Sequence, residues 1–130
     1  MSVYPEDNSV VFAQVVRVNR RSVHLTILGS DSGPYPDKYP AVLRQRDVRS
    51  FNPDAVDMYK SFQPTDIIRA RIISLGDARA FYLSTSSDDL GVILCFSEAG
   101  HVMIPLNFEE MQCSLTKVVE NRKVAHPLIT

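Results

Sequence analysis

Two arginines, Arg69 and Arg71, are the side chains of this sequence whose type and spacing most directly suggest a chemical role. They lie in a β-branched run, and side chains two positions apart share one face of an extended strand. Ile68, Ala70 and Ile72 then point to the opposite face, which can fill a core. A guanidinium group offers a planar fork of donors that fits phosphate oxygens. The pattern therefore predicts a strand with an apolar inner face and an outer face suited to a nucleic-acid backbone.

Other basic side chains lie in the elements that precede this strand. His24 alternates with Val23 and Leu25 in a second strand, so it points away from the apolar face. Arg21 lies in the turn before that strand, and Arg44 ends a short strand over residues 41–44. A surface so rich in arginine would mainly contact the phosphate backbone, and a guanidinium plane can also stack on a base.

The same arginines allow a second interpretation, in which they pair with carboxylates. Their partners would be Asp47, Asp57 or Asp66 within the chain, or acidic groups on a neighbouring protein. The chain has 130 residues and a formal net charge of −1, so no global positive field attracts a polyanion. Binding would depend on a local patch, and a few phosphate contacts give a weak, salt-sensitive affinity.

The elements that must position these residues form one small β-rich core. Hydrophobic residues make up 45% of the chain, which is enough for one modest core without disulfides. Strands are predicted over residues 9–20, 22–28 and 41–44, followed by a short helix and then a hairpin over residues 66–85. This order of strands and helix is that of an OB-fold, a five-stranded Greek-key barrel.

Two connecting segments of the barrel are predicted from their turn and cap residues. Residues 29–40 contain three prolines together with Gly, Ser and Asp, which predicts a flexible loop without regular structure. Asn52 and Pro53 resemble the start of a helix, as its N-cap and first helical residue. The apolar edge of that helix would consist of residues three positions apart, namely Val56, Tyr59 and Phe62.

A second unit is predicted after the barrel, so that the barrel covers residues 8–87 and a small hairpin unit covers residues 88–130. An apolar strand over residues 90–96 and a returning strand over residues 101–106 flank a turn at residues 97–100. The predicted apolar core of this unit consists of Val92, Leu94, Phe96, Val102 and Ile104.

Neither a metal site nor a catalytic centre is predicted. Cys95 and Cys113 are too few for a disulfide framework, and with His101 and nearby carboxylates they make a poor tetrahedral zinc site. His24, His101 and His126 fall in three separate elements, and the sequence has no phosphate-binding glycine loop or nucleophile motif. We expect no cofactor, no bound metal, no small-molecule substrate and no enzymatic activity. Since no secretory signal or membrane-length apolar run is present, we expect a soluble intracellular protein.

Several segments of the sequence resemble a known family. The barrel resembles the ribosomal-S1-like RNA-binding domain, on the basis of residues 15–28, 43–49, 64–66 and 83–85. Within that superfamily the chain is similar to the cap subunit of the eukaryotic RNA exosome that joins such a domain to a zinc-ribbon-like tail. The segments that carry this closer resemblance are residues 46–49, 59–64, 73–78, 82–85, 89–92 and 110–113.

The resemblance implies an all-β protein in which an OB-type barrel precedes a degenerate zinc-ribbon-like hairpin that keeps one cysteine of each former pair. It also implies an N-terminal domain that these residues do not include. In such domains aromatic residues on the first hairpin often stack on bases, whereas this chain has Arg21 and His24 there, and Arg44 where histidine is common. The resemblance therefore implies that the RNA-contacting residues are Arg21, His24, Arg44, Arg69 and Arg71.

The functional role that the resemblance implies is noncatalytic. Such a subunit contacts single-stranded RNA at the entrance of a ribonuclease ring and aids RNA processing and degradation. Its partners are RNase-PH-like ring subunits and other cap subunits, and its location is the nucleus, including the nucleolus, and the cytoplasm. The alternative left open is a structural scaffold whose arginines bind acidic protein partners.

Overall fold

The structure, a computed structural model, describes residues 5–50, 52, 55–74 and 80–125. No helix in this part of the chain is long and apolar enough to cross a membrane. A 3-10 turn, Gln45–Asp47, follows the third strand. The other elements, in chain order, are β1 (Val10–Val18), β2 (Ser22–Ser30), β3 (Gly33–Arg44), α1 (Met58–Ser61), β4 (Ile67–Ser74), β5 (Phe81–Ser84), β6 (Gly91–Leu94), β7 (Met103–Pro105), β8 (Glu110–Cys113) and β9 (Val119–Asn121).

The first five strands close into a barrel. Their order is β1-β2-β3-β5-β4, and the barrel closes because β1 pairs with both β2 and β4. All neighbouring strands are antiparallel except β3 and β5, which run parallel. The predicted all-β, five-stranded OB-type barrel is therefore confirmed. The turn predicted around Gly76 lies outside the described residues.

The inner face of the barrel follows the predicted alternation of side chains. Each strand contributes β-branched or aliphatic residues at every second position, and these side chains exclude water from the interior. The pairing of β1 with β2 shifts between Val15 and Arg17, which is the bulge expected where the alternation breaks. The nearly fully buried side chains are those of Val11, Ala13, Val15, Val23, Leu25, Ile27, Ala41, Leu43, Ile68, Ala70, Ile72 and Leu83.

The segment over residues 29–40 is not the irregular loop that its composition predicted. It forms a tight hairpin between β2 and a long β3, with Ser30 paired to Gly33 and Thr26 paired to Pro40. Among the described residues, the parallel pairing of β3 with β5 involves Ala41 to Leu43, and the earlier part of β3 pairs with β2 alone. Because a proline is tolerated where its nitrogen faces the side of a strand without a partner, three prolines do not prevent the strand.

The predicted helix start at Asn52 and Pro53 stays a prediction, because Pro53 lies outside the described residues. Next to it, the N–H of Ala55 donates to the backbone carbonyl of Asn52 at 3.0 Å. The helix is a single turn that begins at Met58, and the carboxylate of Asp57 caps it by accepting from the backbone N–H groups of Tyr59 and Lys60. Of the predicted apolar edge, two side chains are buried, whereas that of Tyr59 is 54% exposed.

The chain after residue 87 first extends the barrel sheet. β6 pairs with the beginning of β4, next to the stretch of β4 that pairs with β5. β7, β8 and β9 then form a separate antiparallel sheet, which we call the tail sheet. Near the end of the described chain, Val124 forms a parallel bridge with Val92 of β6.

The apolar core predicted for the tail is wrong in register. Of the five predicted residues only Val92 is buried, and the four others are 37–50% exposed. The side chains that fill the interior belong to the opposite set of positions, and a shift of one residue along a strand reverses its faces. These buried residues are Cys95, Met103, Met111 and Cys113.

Candidate nucleic-acid interface

Most of the predicted RNA-contacting residues share one outer face of the barrel, formed by β2, β3, β5 and β4. His24 of β2 pairs with Val42 of β3, which pairs with Tyr82 of β5. In the adjacent row, Ser22 of β2 pairs with Arg44 of β3, and β5 runs along the other side of β3. Outer side chains of these strands therefore form two neighbouring rows, and His24, Arg44 and Tyr82 lie on the same surface.

Arg71 belongs to the same outer face, at its β4 side. It pairs with Ser84, the residue after Leu83, and Leu83 pairs with Leu43, the residue before Arg44. Arg44 and Arg71 consequently flank one strand, with backbones about 10 Å apart from the usual strand spacing. The structure thus brings His24, Arg44 and Arg71 to one face, on which His24 and Arg71 have the outward orientation that the alternation of side chains predicted.

The Arg44 side chain has a defined position on this face. Its Nε atom donates to Oδ2 of Asp47 at 2.8 Å, and its guanidinium carbon lies 4.1 Å from the centroid of the Tyr82 ring. A cation at this distance from a ring is attracted by the negative π-face. For Arg44, the alternative prediction that an arginine of this face pairs with a carboxylate of the chain is therefore confirmed. The pairing leaves 28% of the Arg44 side chain exposed, so the residue remains accessible to a ligand.

Arg71 and Arg69 extend their guanidinium groups toward other elements. Nη1 of Arg71 donates to the backbone carbonyl of Asn8 at 3.0 Å. Nη2 of Arg69 lies 3.9 Å from Oδ2 of Asp31, at the tip of the β2–β3 hairpin, and its buried Nε has no hydrogen-bond partner among the described residues. Arg69 pairs with Phe12 of β1, so its side chain lies at the edge of the face rather than at the centre.

Arg21 lies beside the end of β3 and completes the basic surface. Its backbone carbonyl accepts a hydrogen bond from the N–H of Gln45 at 2.9 Å, and its side chain is exposed. Arg21 therefore adjoins the row that contains Ser22 and Arg44. We call the surface formed by Arg21, His24, Arg44, Arg71 and Tyr82 the basic face.

Tyr82 is the member of the basic face that the sequence prediction did not assign to the site. Its outward orientation follows from the alternation around Leu83, but no local pattern indicates that Arg44 lies over its ring. The two residues are 38 positions apart in the sequence and meet only because β3 and β5 run side by side. A prediction that β3 and β5 pair in parallel would have placed Tyr82 beside Arg44.

The two other carboxylates proposed as arginine partners have different roles. Asp57 caps α1. Asp66 is buried and accepts from Nε of Arg122 at 2.8 Å. Arg122 is not one of the predicted RNA-contacting arginines. Burial raises the pKa of Asp66, although the neighbouring Arg122 opposes this shift.

The two cysteines lie in the tail with different environments. The Sγ atom of Cys95 lies 3.4 Å from Sδ of Met111, and burial raises the pKa of the Cys95 thiol to about 12. The Sγ atom of Cys113 lies 3.3 Å from Oγ of Ser97, and this hydrogen bond is the main cause that lowers its pKa to about 6. Within the described residues, His, Cys, Asp and Glu side chains form no group of three suited to a metal ion.

Comparison with known proteins identifies relatives over almost the entire chain. Residues 30–75 match the family model described as exosome component EXOSC1/CSL4. The exosome complex component CSL4 of Homo sapiens and that of Mus musculus are each 41% identical over 122 residues, covering 93% of this chain and 63% of the relative. The chain thus spans less than two thirds of the length of these relatives.

Two further comparisons extend the likeness. Exosome complex component csl4 of Schizosaccharomyces pombe is 36% identical over 129 residues, covering 98% of this chain and 71% of the relative. A crystal structure described as an exosome complex RNA-binding protein superimposes with a TM-score of 0.53 at 25% identity, covering 74% of this chain and 52% of the other.

Proposed function

The chain belongs to the exosome component CSL4 family, and from this premise we propose that it is a noncatalytic exosome cap subunit that contacts single-stranded RNA. The RNA would pass along the basic face toward the entrance of a ribonuclease ring, where the subunit aids RNA processing and degradation. The observation that carries the proposal is the convergence of Arg44, Arg71 and His24 on one outer face of an OB-type barrel.

The chemistry of the basic face suits a polyanion without sequence preference. Guanidinium groups at its centre and edges can donate to successive phosphate oxygens, and the described strands hold them on a rigid barrel. The chain carries a net charge of −1, so the attraction must be local and short-ranged. We therefore expect weak binding by the isolated chain and stronger binding when neighbouring subunits add further contacts.

The tail sheet supports the second part of the proposal, docking onto other exosome subunits. Most of the large apolar side chains that are exposed in the described part of the chain lie between residues 93 and 119. Among them, Phe96 is paired with Val102, and Ile104 lies in the same outer row as Val119 through Gln112. An apolar surface of this kind is typical of a protein interface. We propose that this surface contacts RNase-PH-like ring subunits, with other cap subunits as neighbours. We propose that the protein works in the nucleus, including the nucleolus, and in the cytoplasm.

The RNA contact is tested by charge reversal on the basic face. Single-stranded RNA is titrated into wild type and Arg21→Glu/Arg71→Glu at low and raised salt. We expect wild type to bind measurably at low salt and to lose affinity as salt increases, and the variant to bind at least tenfold more weakly. Lys60→Glu/Lys117→Glu, which changes the net charge equally at exposed residues of α1 and of the tail, is the matched control.

The docking proposal is tested separately by binding to purified exosome ring subunits. Phe96→Ser/Ile104→Ser should lose this binding, because both side chains belong to the exposed apolar surface. Tyr59→Ser, which removes an equally exposed aromatic side chain from the helix, should retain it. Assembly that depends on the arginines, together with no RNA affinity in wild type at low salt, would favour the structural scaffold instead.

A further inference from the structure

Arg44 lies over the ring of Tyr82 and is also paired with the carboxylate of Asp47. The guanidinium carbon lies 4.1 Å from the ring centroid, so the ring supports one side of the Arg44 head group. The Arg44 side chain is 28% exposed, so it is not enclosed by the protein. A planar group that is supported on one side and open on the other can take a second planar group on top.

The position of Arg44 is fixed by a set of hydrogen bonds that reaches back to the strand carrying Tyr82. Asp47 accepts from Nε of Arg44 at 2.8 Å. The backbone carbonyl of Asp47 accepts from the N–H of Thr85 at 2.9 Å and from the hydroxyl of Ser84 at 3.2 Å. Ser84 and Thr85 directly follow Tyr82 and Leu83 in and after β5. The carboxylate that orients Arg44 and the ring that supports it are therefore both held by one short stretch of chain.

This network also gives a physical role to two of the sequence segments that carry the family resemblance. Residues 46–49 contain Asp47 and Val48, and residues 82–85 contain Tyr82, Ser84 and Thr85. The hydroxyl of Thr85 donates to the backbone carbonyl of Val48 at 3.0 Å in a buried environment. The two segments thus bind each other through three hydrogen bonds, and their combined effect is to hold the Arg44 side chain in place.

We propose that the guanidinium plane of Arg44, supported by Tyr82, is a stacking platform for a base of single-stranded RNA. The inference rests on the proposed function and specifies how the basic face holds its ligand. A guanidinium plane stacks on a nucleobase as an aromatic ring does, and every base offers a π-face, so the contact tolerates any sequence. Because Nε of Arg44 is bonded to Asp47, the plane is oriented before the RNA arrives and less conformational entropy is lost on binding.

The experiment separates base stacking from phosphate contact by using two ligands. One is an oligouridine, and the other is a ribose-phosphate oligomer of equal length without bases. Affinities of wild type, Arg44→Lys, Tyr82→Leu and Tyr82→Phe are measured for both at low salt. Arg44→Lys keeps the charge and loses the plane, Tyr82→Leu removes the supporting ring, and Tyr82→Phe retains it.

The ratio of the two affinities decides the outcome. We expect wild type and Tyr82→Phe to bind oligouridine about tenfold more tightly than the oligomer without bases, since a stacked base contributes on this scale. In Arg44→Lys and in Tyr82→Leu this ratio should fall toward one. Arg44→Lys should bind the oligomer without bases as tightly as wild type does, because the charge is kept. Thermal unfolding checks each variant, and if Tyr82→Leu does not fold, Arg44→Lys and Tyr82→Phe still decide.

Two results would overturn parts of the argument in distinguishable ways. If wild type binds RNA but its ratio is near one, or if Arg44→Lys keeps the wild-type ratio, the stacking platform is wrong and the proposed RNA contact stands. If wild type binds neither ligand at low salt, the RNA contact itself fails. In that case, binding of an acidic peptide that Arg44→Lys and Tyr82→Leu both weaken would identify this surface as a protein contact.

Discussion

Nε of Arg122 lies 2.8 Å from Oδ2 of Asp66, and the two side chains are 3% and 2% exposed. Asp66 directly precedes β4 of the barrel, whereas Arg122 directly follows β9 of the tail sheet. Nη2 of Arg122 also lies 3.1 Å from Oε1 of Glu120, and Oδ2 of Asp66 accepts from the backbone N–H of Gln63. A buried and hydrogen-bonded ion pair therefore joins the two sheets across 56 residues of sequence.

The first prediction concerns the removal of one partner of this pair. Arg122→Met leaves the buried carboxylate of Asp66 without its cation, which should lower the free energy of unfolding by about 3–5 kcal/mol. Denaturant-induced unfolding measures the change. Glu120→Gln is the control, since Glu120 contacts the same guanidinium from a position that is 27% exposed, and it should cost less than about 1 kcal/mol. Equal effects of the two substitutions would contradict the prediction.

The second prediction concerns the pH dependence that Lys123 contributes. Burial, and secondarily the charge of Arg49, lower the pKa of Lys123 from 10.5 to about 8. The unfolded chain keeps the ordinary value, so between these two pH values the unfolded state binds more protons than the folded state. The contribution of Lys123 therefore increases the free energy of unfolding as pH rises from about 8 to 10.5. This gain is lost as pH falls back through 8.

The measurement for Lys123 is a difference between wild type and Lys123→Met. The free energy of unfolding of each protein is determined by denaturation at a series of pH values, so that the titration of other groups cancels. The difference, wild type minus variant, should increase across this window and stay constant below pH 7. Lys38→Met, which removes an exposed amine from the β2–β3 hairpin, is the matched control. A difference for Lys123→Met that does not change with pH would contradict the assignment.

The barrel was predictable from sequence because apolar residues recur at every second position of its strands. In β4, Arg69 and Arg71 interrupt an aliphatic run at every second position, so only one orientation is compatible with a dry interior. The same rule placed His24 on the outside. The long β3 was missed because prolines usually indicate a loop, whereas among the described residues their part of β3 pairs with β2 alone, and a proline on the other side of a strand costs little.

The tail was less predictable for a different reason. Residues 90–96 are apolar at both odd and even positions, so hydrophobic periodicity does not indicate which set faces inward. The structure buries Cys95 and leaves Leu94 and Phe96 exposed. The contact of Asp66 with Arg122 was equally hidden, because no local pattern links residues that come from different sheets.

The third prediction tests this register of the tail. Met111 is fully buried, so Met111→Ala should leave a cavity and lower the free energy of unfolding by about 2–5 kcal/mol. Ile104 is 50% exposed, so Ile104→Ala should cost less than about 1 kcal/mol, although the sequence pattern had placed it in the core. Denaturant unfolding of both variants provides the comparison. A larger loss for Ile104→Ala than for Met111→Ala would restore the register predicted from sequence.

The last prediction concerns the close approach of two chain segments at Gly91. Gly91 has a positive φ of 137°, and an added Cβ would lie 2.3 Å from the backbone carbonyl oxygen of Lys123. The N–H of Val92 donates to that same oxygen at 2.7 Å, so the segment cannot move away without losing a hydrogen bond. Gly91→Ala should therefore lower the free energy of unfolding by about 3 kcal/mol or more, through steric overlap together with backbone strain.

Gly100→Ala separates the two causes at Gly91. Gly100 also has a positive φ, of 84°, but an added Cβ there would have no atom within 4 Å. Its substitution should cost only the backbone strain, about 1 kcal/mol. Thermal or denaturant unfolding of both variants measures the difference, and hydrogen exchange at Val92 should accelerate in Gly91→Ala alone because its bond to Lys123 breaks. Similar losses in the two variants would mean that the chain after β9 does not pack against β6 at this distance.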